Sequence, residues 1–432
     1  MDVKRIDTLI IGGGQAGLAL SRCLSDQSVD HVVVERGRVA ERWRSERWDS
    51  LRLLTPNWQT RLPGFRYEGS DPHGYMTMPE LVRFFEQYAL SFAAPVEPET
   101  AVTGVKASSG GFRVDTTRGA WHARTVVIAT GYNDLPFVPP AGSTLAPRLE
   151  QVVPTRYRNP GQLPPGGVLV VGASATGIQL AEEIHASGRP VTLAVGGHLR
   201  LPRVYRGRDI LWWLDAMGVF DDTLDCLPDA RASLAQPSLQ LIGHPDRRSL
   251  DVAALHRQGV RLAGRLIAAN GEAVTFDDDL IATTVASDVK LADVLKRIDG
   301  FIARSEWASE APDAGPFEPT WPVALNTGRQ TVNLRSAGIS TVVWATGFRR
   351  AYPWLQVPVF DETGDIRHRF GVTPVPGLYV LGMHFQRRRK SAFIDGVGED
   401  AAFVARRIAA IGRRSAPART GGAFPWPAPQ VI

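Results

Sequence analysis

Short, mostly apolar runs recur along this chain, and helical spacing follows several of them. Asp7–Ile11, His31–Val34, Val126–Ile128, Pro190–Val195, Thr341–Trp344 and a run ending at Val171 show little polar alternation. That is the pattern of strands buried on both faces of a parallel sheet. Leu18–Leu24 and Pro79–Ala89 carry apolar residues at helical intervals. Further strands are expected near 101–107, 111–116 and 120–125. The alternation predicts the α/β class with parallel sheets.

Two of the runs break into glycine-rich turns, 160 positions apart counted from Gly12 to Gly172. The first turn holds Gly12, Gly13, Gly14, Gln15, Ala16 and Gly17; the second holds Gly172, Ala173, Ser174, Ala175, Thr176 and Gly177. Strand, tight turn and helix in that order bring backbone N–H groups to a pyrophosphate at a helix start. After the first turn, the next strand ends in Glu35, about twenty residues on, where a carboxylate accepts hydrogen bonds from ribose hydroxyls. The first turn therefore reads as an adenine dinucleotide site. After the second, the corresponding strand ends in Gly196-Gly197-His198 rather than an acid, with Arg200 and Arg203 close behind. Those cations favour a 2′-phosphate, hence NADPH over NADH. Two such turns in one chain predict transfer of electrons between two dinucleotides.

The strands ending in Ala129-Thr130-Gly131 and Ala345-Thr346-Gly347 are near-duplicates, and small residues there allow close passage past a cofactor. The proline-rich stretch 136–165 reads as a crossing between domains. The expected organisation is two dinucleotide-binding, Rossmann-like domains of the glutathione-reductase type, the second inserted in the first. Residues 1–158 form the first part of one domain. Residues 159–325 form the nicotinamide nucleotide domain with a helical insert. Residues 326–413 return to the first domain, opened by the strand at 341–347, and 414–432 form an extended tail.

Composition narrows the classes. A formal charge of +5 on 432 residues is too small and dispersed to argue for nucleic acid. No apolar run reaches membrane-spanning length. Cys23 and Cys226 are the only cysteines, so neither a disulfide scaffold nor a C-x-x-C redox centre is available. A cytoplasmic location is expected, and the oligomeric state is open, a homodimer among the choices. The basic run Arg387–Lys390 reads either as a solvated loop or as a contact for a phosphate or anionic substrate.

The two turns, Glu35, both Ala-Thr-Gly endings, Tyr157-Arg158-Asn159-Pro160 and the closing strand Gly377–Gly382 together resemble the class B flavoprotein monooxygenases, specifically the flavin-containing monooxygenase group. The resemblance spans almost the whole chain. It implies FAD on the first domain and NADPH on the second, with O₂ activated as a flavin C4a peroxide adduct that oxygenates a small soft nucleophile at nitrogen or sulfur. It also implies FAD contacts from Glu35, Arg36, Trp43, Arg52, Thr130, Gly131, Gly382 and Asp395. NADPH contacts would come from the second turn, His198, Arg200, Arg203 and Ala345–Gly347. Asn57 becomes the candidate polar group beside the flavin, with Trp43, Trp48 and Trp58 as its walls. One departure stands out: the group's F-x-G-x-x-x-H signature is replaced by Pro147, Leu149 and Val153. The alternatives are an NAD(P)H-dependent reductase, dehydrogenase or oxidase, a Baeyer–Villiger-type enzyme, or a nucleotide-binding regulator.

Overall fold

The computed structural model describes residues 3–315 and 328–414. The expected tail at 414–432 lies outside the described residues except for Arg414, which ends a helix rather than opening a tail, and the expected domain break at 325 also lies outside them. The chain starts with β1 (Lys4–Ile11), α1 (Gln15–Ser25) and β2 (His31–Val34), then α2 (Met78–Ser91) and β3 (Val96–Glu97). A meander follows: β4 (Val102–Ser108), β5 (Gly111–Thr116) and β6 (Gly119–Ile128). The runs expected at 120–125 and 126–128 are thus one long strand. Its first half pairs antiparallel with β5, and its second half lies parallel to β1.

The second unit is built from β7 (Glu150–Val152), β8 (Gly167–Val171), α3 (Ala175–Ala186), β9 (Val191–Ala194), β10 (Arg261–Ala263), α4 (Leu280–Ile302) and β11 (Ile339–Trp344). The chain then returns through β12 (Leu355–Gln356), β13 (Leu378–Val380) and α5 (Val397–Arg414). The first sheet runs β12-β4-β5-β6-β1-β2-β3, with β13 beside β6. The second runs β7-β11-β8-β9-β10, and all its pairings are parallel.

This pairing corrects one expectation. The strand at 339–344 does not open the return to the first domain; it lies in the second sheet, between β7 and β8. There it does for the second turn what β6 does for the first. Both central strands are buried throughout their apolar stretch, so Leu9, Ile10, Val168, Leu169 and Val170 have no exposed surface. Burying such side chains fully is worth about 1.5–3 kcal/mol each and fixes where each glycine turn emerges.

α2 is the helix expected at 79–89, one residue longer at its start and two at its end. A capping box starts it, in which Thr77 accepts from the Glu80 N–H and Glu80 accepts from the Thr77 N–H. Its buried stripe of Met78, Leu81, Val82, Phe85 and Tyr88 faces the core. No helix among the described residues is long and apolar enough to cross a membrane.

Candidate active site: two glycine turns and the seam between them

The two turns share one backbone design at their first and last glycines. Gly12 and Gly172 have φ of +111° and +105°, a region that side-chain-bearing residues rarely adopt. A Cβ on Gly12 would lie 2.7 Å from the Ala129 carbonyl oxygen, and one on Gly172 would press on the Ala345 carbonyl. Each Ala-Thr-Gly ending is therefore the neighbouring strand end that its first glycine must clear. Gly17 and Gly177 pack against the carbonyls of Gly12 and Gly172, leaving no space for a methyl group.

The middle position differs in kind. A Cβ on Gly14 would meet nothing within 4 Å, so Gly14 faces open space in front of the turn. Gly14 is also the N-cap of α1, and no side chain caps that helix. Its N-terminal N–H groups are left for an anion. Ser174 holds the same place at α3, again without a side-chain cap.

Glu35 is 8% exposed at the end of β2. Its Oε2 accepts from the Gly13 N–H at 2.6 Å and its Oε1 from the Gly37 N–H at 3.0 Å. These bonds pin the carboxylate at the edge of the turn, and each oxygen keeps a second lone pair for a ribose hydroxyl. Around this turn the fold also gathers Trp43, whose Nε1 donates to Gln15 Oε1 at 3.4 Å, and Gly382, whose Cβ would lie 2.9 Å from Ala16 Cβ. Thr130 and Gly131 follow Ala129 at the same edge. Arg36 turns instead to Glu46, at 2.7 Å, and Arg52 donates to the Tyr75 carbonyl at 2.9 Å.

A second group lies in the first unit, along the segment between β2 and α2. Asn57 is 5% exposed, and its Nδ2 donates to the Asp71 carbonyl at 2.9 Å. That bond leaves its Oδ1 without a partner among the described residues, as are Trp58 Nε1, Gln59 Oε1 and Thr60 Oγ1. Of these four residues, Asn57 lines the cleft beside α2, where its free acceptor is open to a ligand donor. Asp395, nearly buried just before α5, forms a two-point ion pair with Arg61. Trp48 is buried; Trp43 and Trp58 are half-buried.

The cations expected to meet a 2′-phosphate are placed otherwise. Arg203 is fully buried: its Nε donates to Asp209 at 2.9 Å, its Nη1 to the Leu54 carbonyl at 2.7 Å, and it stacks on Tyr75. Tyr75 in turn donates to Asp209 at 2.9 Å. Arg203 is thus a bolt between the units and not a phosphate ligand, because its guanidinium is already spent on its own chain. Arg200 is likewise held by Asp288 at 2.6 Å and Asp251 at 3.1 Å. His198 is buried, its Nδ1 against the Gly196 carbonyl, and burial lowers its pKa, which opposes a charged phosphate contact. A further cation, Arg265, stands near this strand end, just beyond β10. Its Nε lies 3.9 Å from where a Cβ on Gly196 would be, and it is more than half exposed, 3.4 Å from Asp279. Gln240, fully buried, donates to the Ala173 carbonyl inside the second turn and so supports its shape. A single glutamine far along the insert gives no signal in the sequence.

The basic run Arg387–Lys390 is engaged by groups of its own chain rather than left as a solvated loop. Arg388 Nη1 and Lys390 Nζ meet Asp221 at 3.1 and 3.0 Å, and the Arg389 and Lys390 N–H groups donate to Asp222 and Phe220 carbonyls. It clamps the returning segment to the helical insert. Across the other end of the seam, Asn159 Nδ2 reaches Asp49 at 2.7 Å and Arg158 reaches the Arg47 carbonyl at 2.7 Å. No group of metal-ligating side chains occurs among the described residues.

Residues 9–207 match the family described as pyridine nucleotide-disulphide oxidoreductase. An uncharacterised oxidoreductase, CzcO-like, from Geobacillus kaustophilus is 31% identical over 403 residues, covering 92% of this chain and 97% of that protein. The chain belongs to the CzcO-like oxidoreductases. The rice indole-3-pyruvate monooxygenase YUCCA1 is 27% identical over 401 residues, covering 87% of this chain and 86% of its own length. Among solved structures, a flavin-containing monooxygenase from Stenotrophomonas maltophilia superposes with a TM-score of 0.64 at 19% identity, covering 95% of this chain and all of that one. The fold is therefore the two-domain flavoprotein fold. The open space before Gly14 and the pinned Glu35 carboxylate fit the FAD diphosphate and ribose; Ser174 and the uncapped α3 fit the second dinucleotide.

Proposed function

We propose that this protein is an NADPH-dependent flavin monooxygenase that adds one oxygen atom to a nitrogen or sulfur of a small molecule. The observation that carries the reading is the fate of the electrons. The family's description includes disulfide reduction, yet the two cysteines cannot form a dithiol centre. Cys23 is buried in α1, its thiol pushed up to about 11 by burial, while Cys226 is exposed in the helical insert. A flavin held here would have no dithiol of this chain to pass electrons to, so its electron acceptor would come from outside the protein, and the reading takes O₂ as that acceptor.

Bound FAD supplies the redox chemistry, as hydride acceptor and as the centre that activates O₂. The protein's share is placement and shielding. Glu35 anchors the adenosine ribose, and the peptide at Gly14 with the start of α1 receives the diphosphate. Ser174 and the start of α3 receive the second diphosphate, with Arg265 taking the 2′-phosphate in place of Arg200 and Arg203. Asn57 offers an amide oxygen to the flavin edge or the substrate. Trp48, Leu51 and Leu53, all buried, keep water from that region.

The test is a mass balance. FAD-loaded protein is given NADPH and O₂ with a panel of amines and sulfides, and NADPH consumed, H₂O₂ released and oxygenated product are measured together. Product should account for most of the NADPH with at least one member of the panel. H₂O₂ equal to NADPH throughout would make the protein an oxidase and end this reading.

A further inference from the structure

A cleft of about 710 Å³ opens between α2 and the hairpin at Arg61–Arg66, and Asn57 is its one lining residue that the reading above also sets beside the flavin. Its floor is apolar and buried: Leu62, Met76 and Phe84. Into that floor is set the Asn57 amide. Its donation to the Asp71 carbonyl fixes which way the amide faces, so the unsatisfied atom is the acceptor Oδ1. A buried acceptor without a donor costs about 1–3 kcal/mol, and a ligand N–H recovers it.

The rim is charged, and its acids are largely committed. Glu80 accepts from the Thr77 N–H at 2.8 Å and the Thr77 hydroxyl at 2.7 Å, bonds that hold its carboxyl below the usual range. Glu68 is 80% exposed and 3.8 Å from Arg66, a weak surface pair. Arg61 is taken by Asp395. Arg83, exposed on α2, has no ion-pair partner among the described residues. Arg83 and Arg66 thus offer guanidinium groups above an apolar floor that holds one hydrogen-bond acceptor.

We infer that this cleft is the substrate site and that its substrate is a small carboxylic acid with an apolar body and an N–H donor, of the amino-acid type. The carboxylate meets Arg83 and Arg66, the N–H meets Asn57 Oδ1, and the apolar body lies on Phe84, Met76 and Leu62. This rests on the oxygenase reading above, and Asn57 joins the two, since it stands both in this floor and beside the expected flavin.

Calorimetric titration of the FAD-loaded protein, without NADPH, tests it with three probes: phenylalanine, 3-phenylpropionate (no N–H) and phenethylamine (no carboxylate). Phenylalanine should bind saturably, with the other two about tenfold weaker, as expected for the loss of a charge-assisted bond or of the Asn57 contact. Arg83→Ala should weaken phenylalanine about tenfold, leave phenethylamine unchanged and leave FAD content intact. Phenethylamine binding as tightly as phenylalanine would overturn the inference. So would an Arg83→Ala effect under twofold, or no saturable binding of any probe. Because no turnover is needed, acid binding alongside purely H₂O₂-producing turnover would defeat the oxygenase reading and leave the cleft standing.

Discussion

Whether an arginine meets a ligand or a carboxylate of its own chain depends on neighbours distant in sequence, and the cations of the second unit divide on that point. Arg203 follows the β9 strand end as a phosphate-binding cation would, but Asp209, Leu54 and Tyr75 enclose it. Removing one partner of such a buried pair strands the other, at a cost of about 3–5 kcal/mol. Arg203→Ala should therefore lower thermal stability strongly and raise the KM for NADPH and NADH alike. Arg265→Ala should leave the melting temperature within a few degrees and raise the KM for NADPH alone by about tenfold, read from initial rates with each nucleotide. A selective NADPH defect in Arg203→Ala would restore the phosphate role. The place of Glu35 at the edge of the first turn was legible because the fingerprint sets a strand-end carboxylate about twenty residues past its glycines. Arg265 was not, because its nearness to Gly196 arises from two parallel strands lying side by side, which spacing along the chain does not encode.

Elements show the same division. The glycine turns were readable because close backbone approach excludes every side chain at Gly12, Gly17, Gly172 and Gly177, so geometry writes itself into composition. The strand at 339–344 was readable as a strand but not by its partner, since an apolar run fits either sheet equally well. Two matched substitutions separate the turns. Gly17→Ala drives a methyl group into the Gly12 carbonyl and should give protein without flavin. Gly177→Ala does the same at Gly172 and should give yellow protein that NADPH fails to reduce, seen as unbleached flavin absorbance under anaerobic conditions. A different device sits in the first turns of α5. Asp400 is 2% exposed, and burial raises its pKa to about 6, against Arg387 at 3.5 Å. A carboxyl whose folded pKa is raised costs stability above that pKa, and the cost fades as pH falls toward the unfolded value near 4. Asp400→Asn should therefore be more stable than the unaltered protein at pH 8, by up to ~3 kcal/mol. The gap should close by pH 4 in denaturant titrations; a gap independent of pH would show that Asp400 is not charged at a cost.

At the scale of the molecule, the proposed hydride transfer would require two rings on separate sheets to hold one relative placement, and among the described residues three groups of contacts tie the seam. Arg203 bolts its middle, Asn159 and Arg158 tie the crossing segment to Asp49 and Arg47, and the Arg387–Lys390 run grips Asp221 and Asp222. The charge run was visible in the sequence, but its acids lie more than 160 positions away and on another unit, so its purpose was not. A clamp of this kind acts on geometry and not on either cofactor's own site. Asp221→Lys would set a third cation against Arg388 and Lys390, at places now about 3 Å from a carboxylate. The expected result is FAD content and NADP⁺ affinity within twofold of the unaltered protein, with the anaerobic rate of flavin reduction by NADPH reduced about tenfold or more. Lys390→Asp in the same chain returns an opposite charge to the contact and should recover much of the rate, the non-additivity that directly paired residues show. Unchanged reduction in Asp221→Lys would mean that the bolt at Arg203 alone sets the distance between the rings.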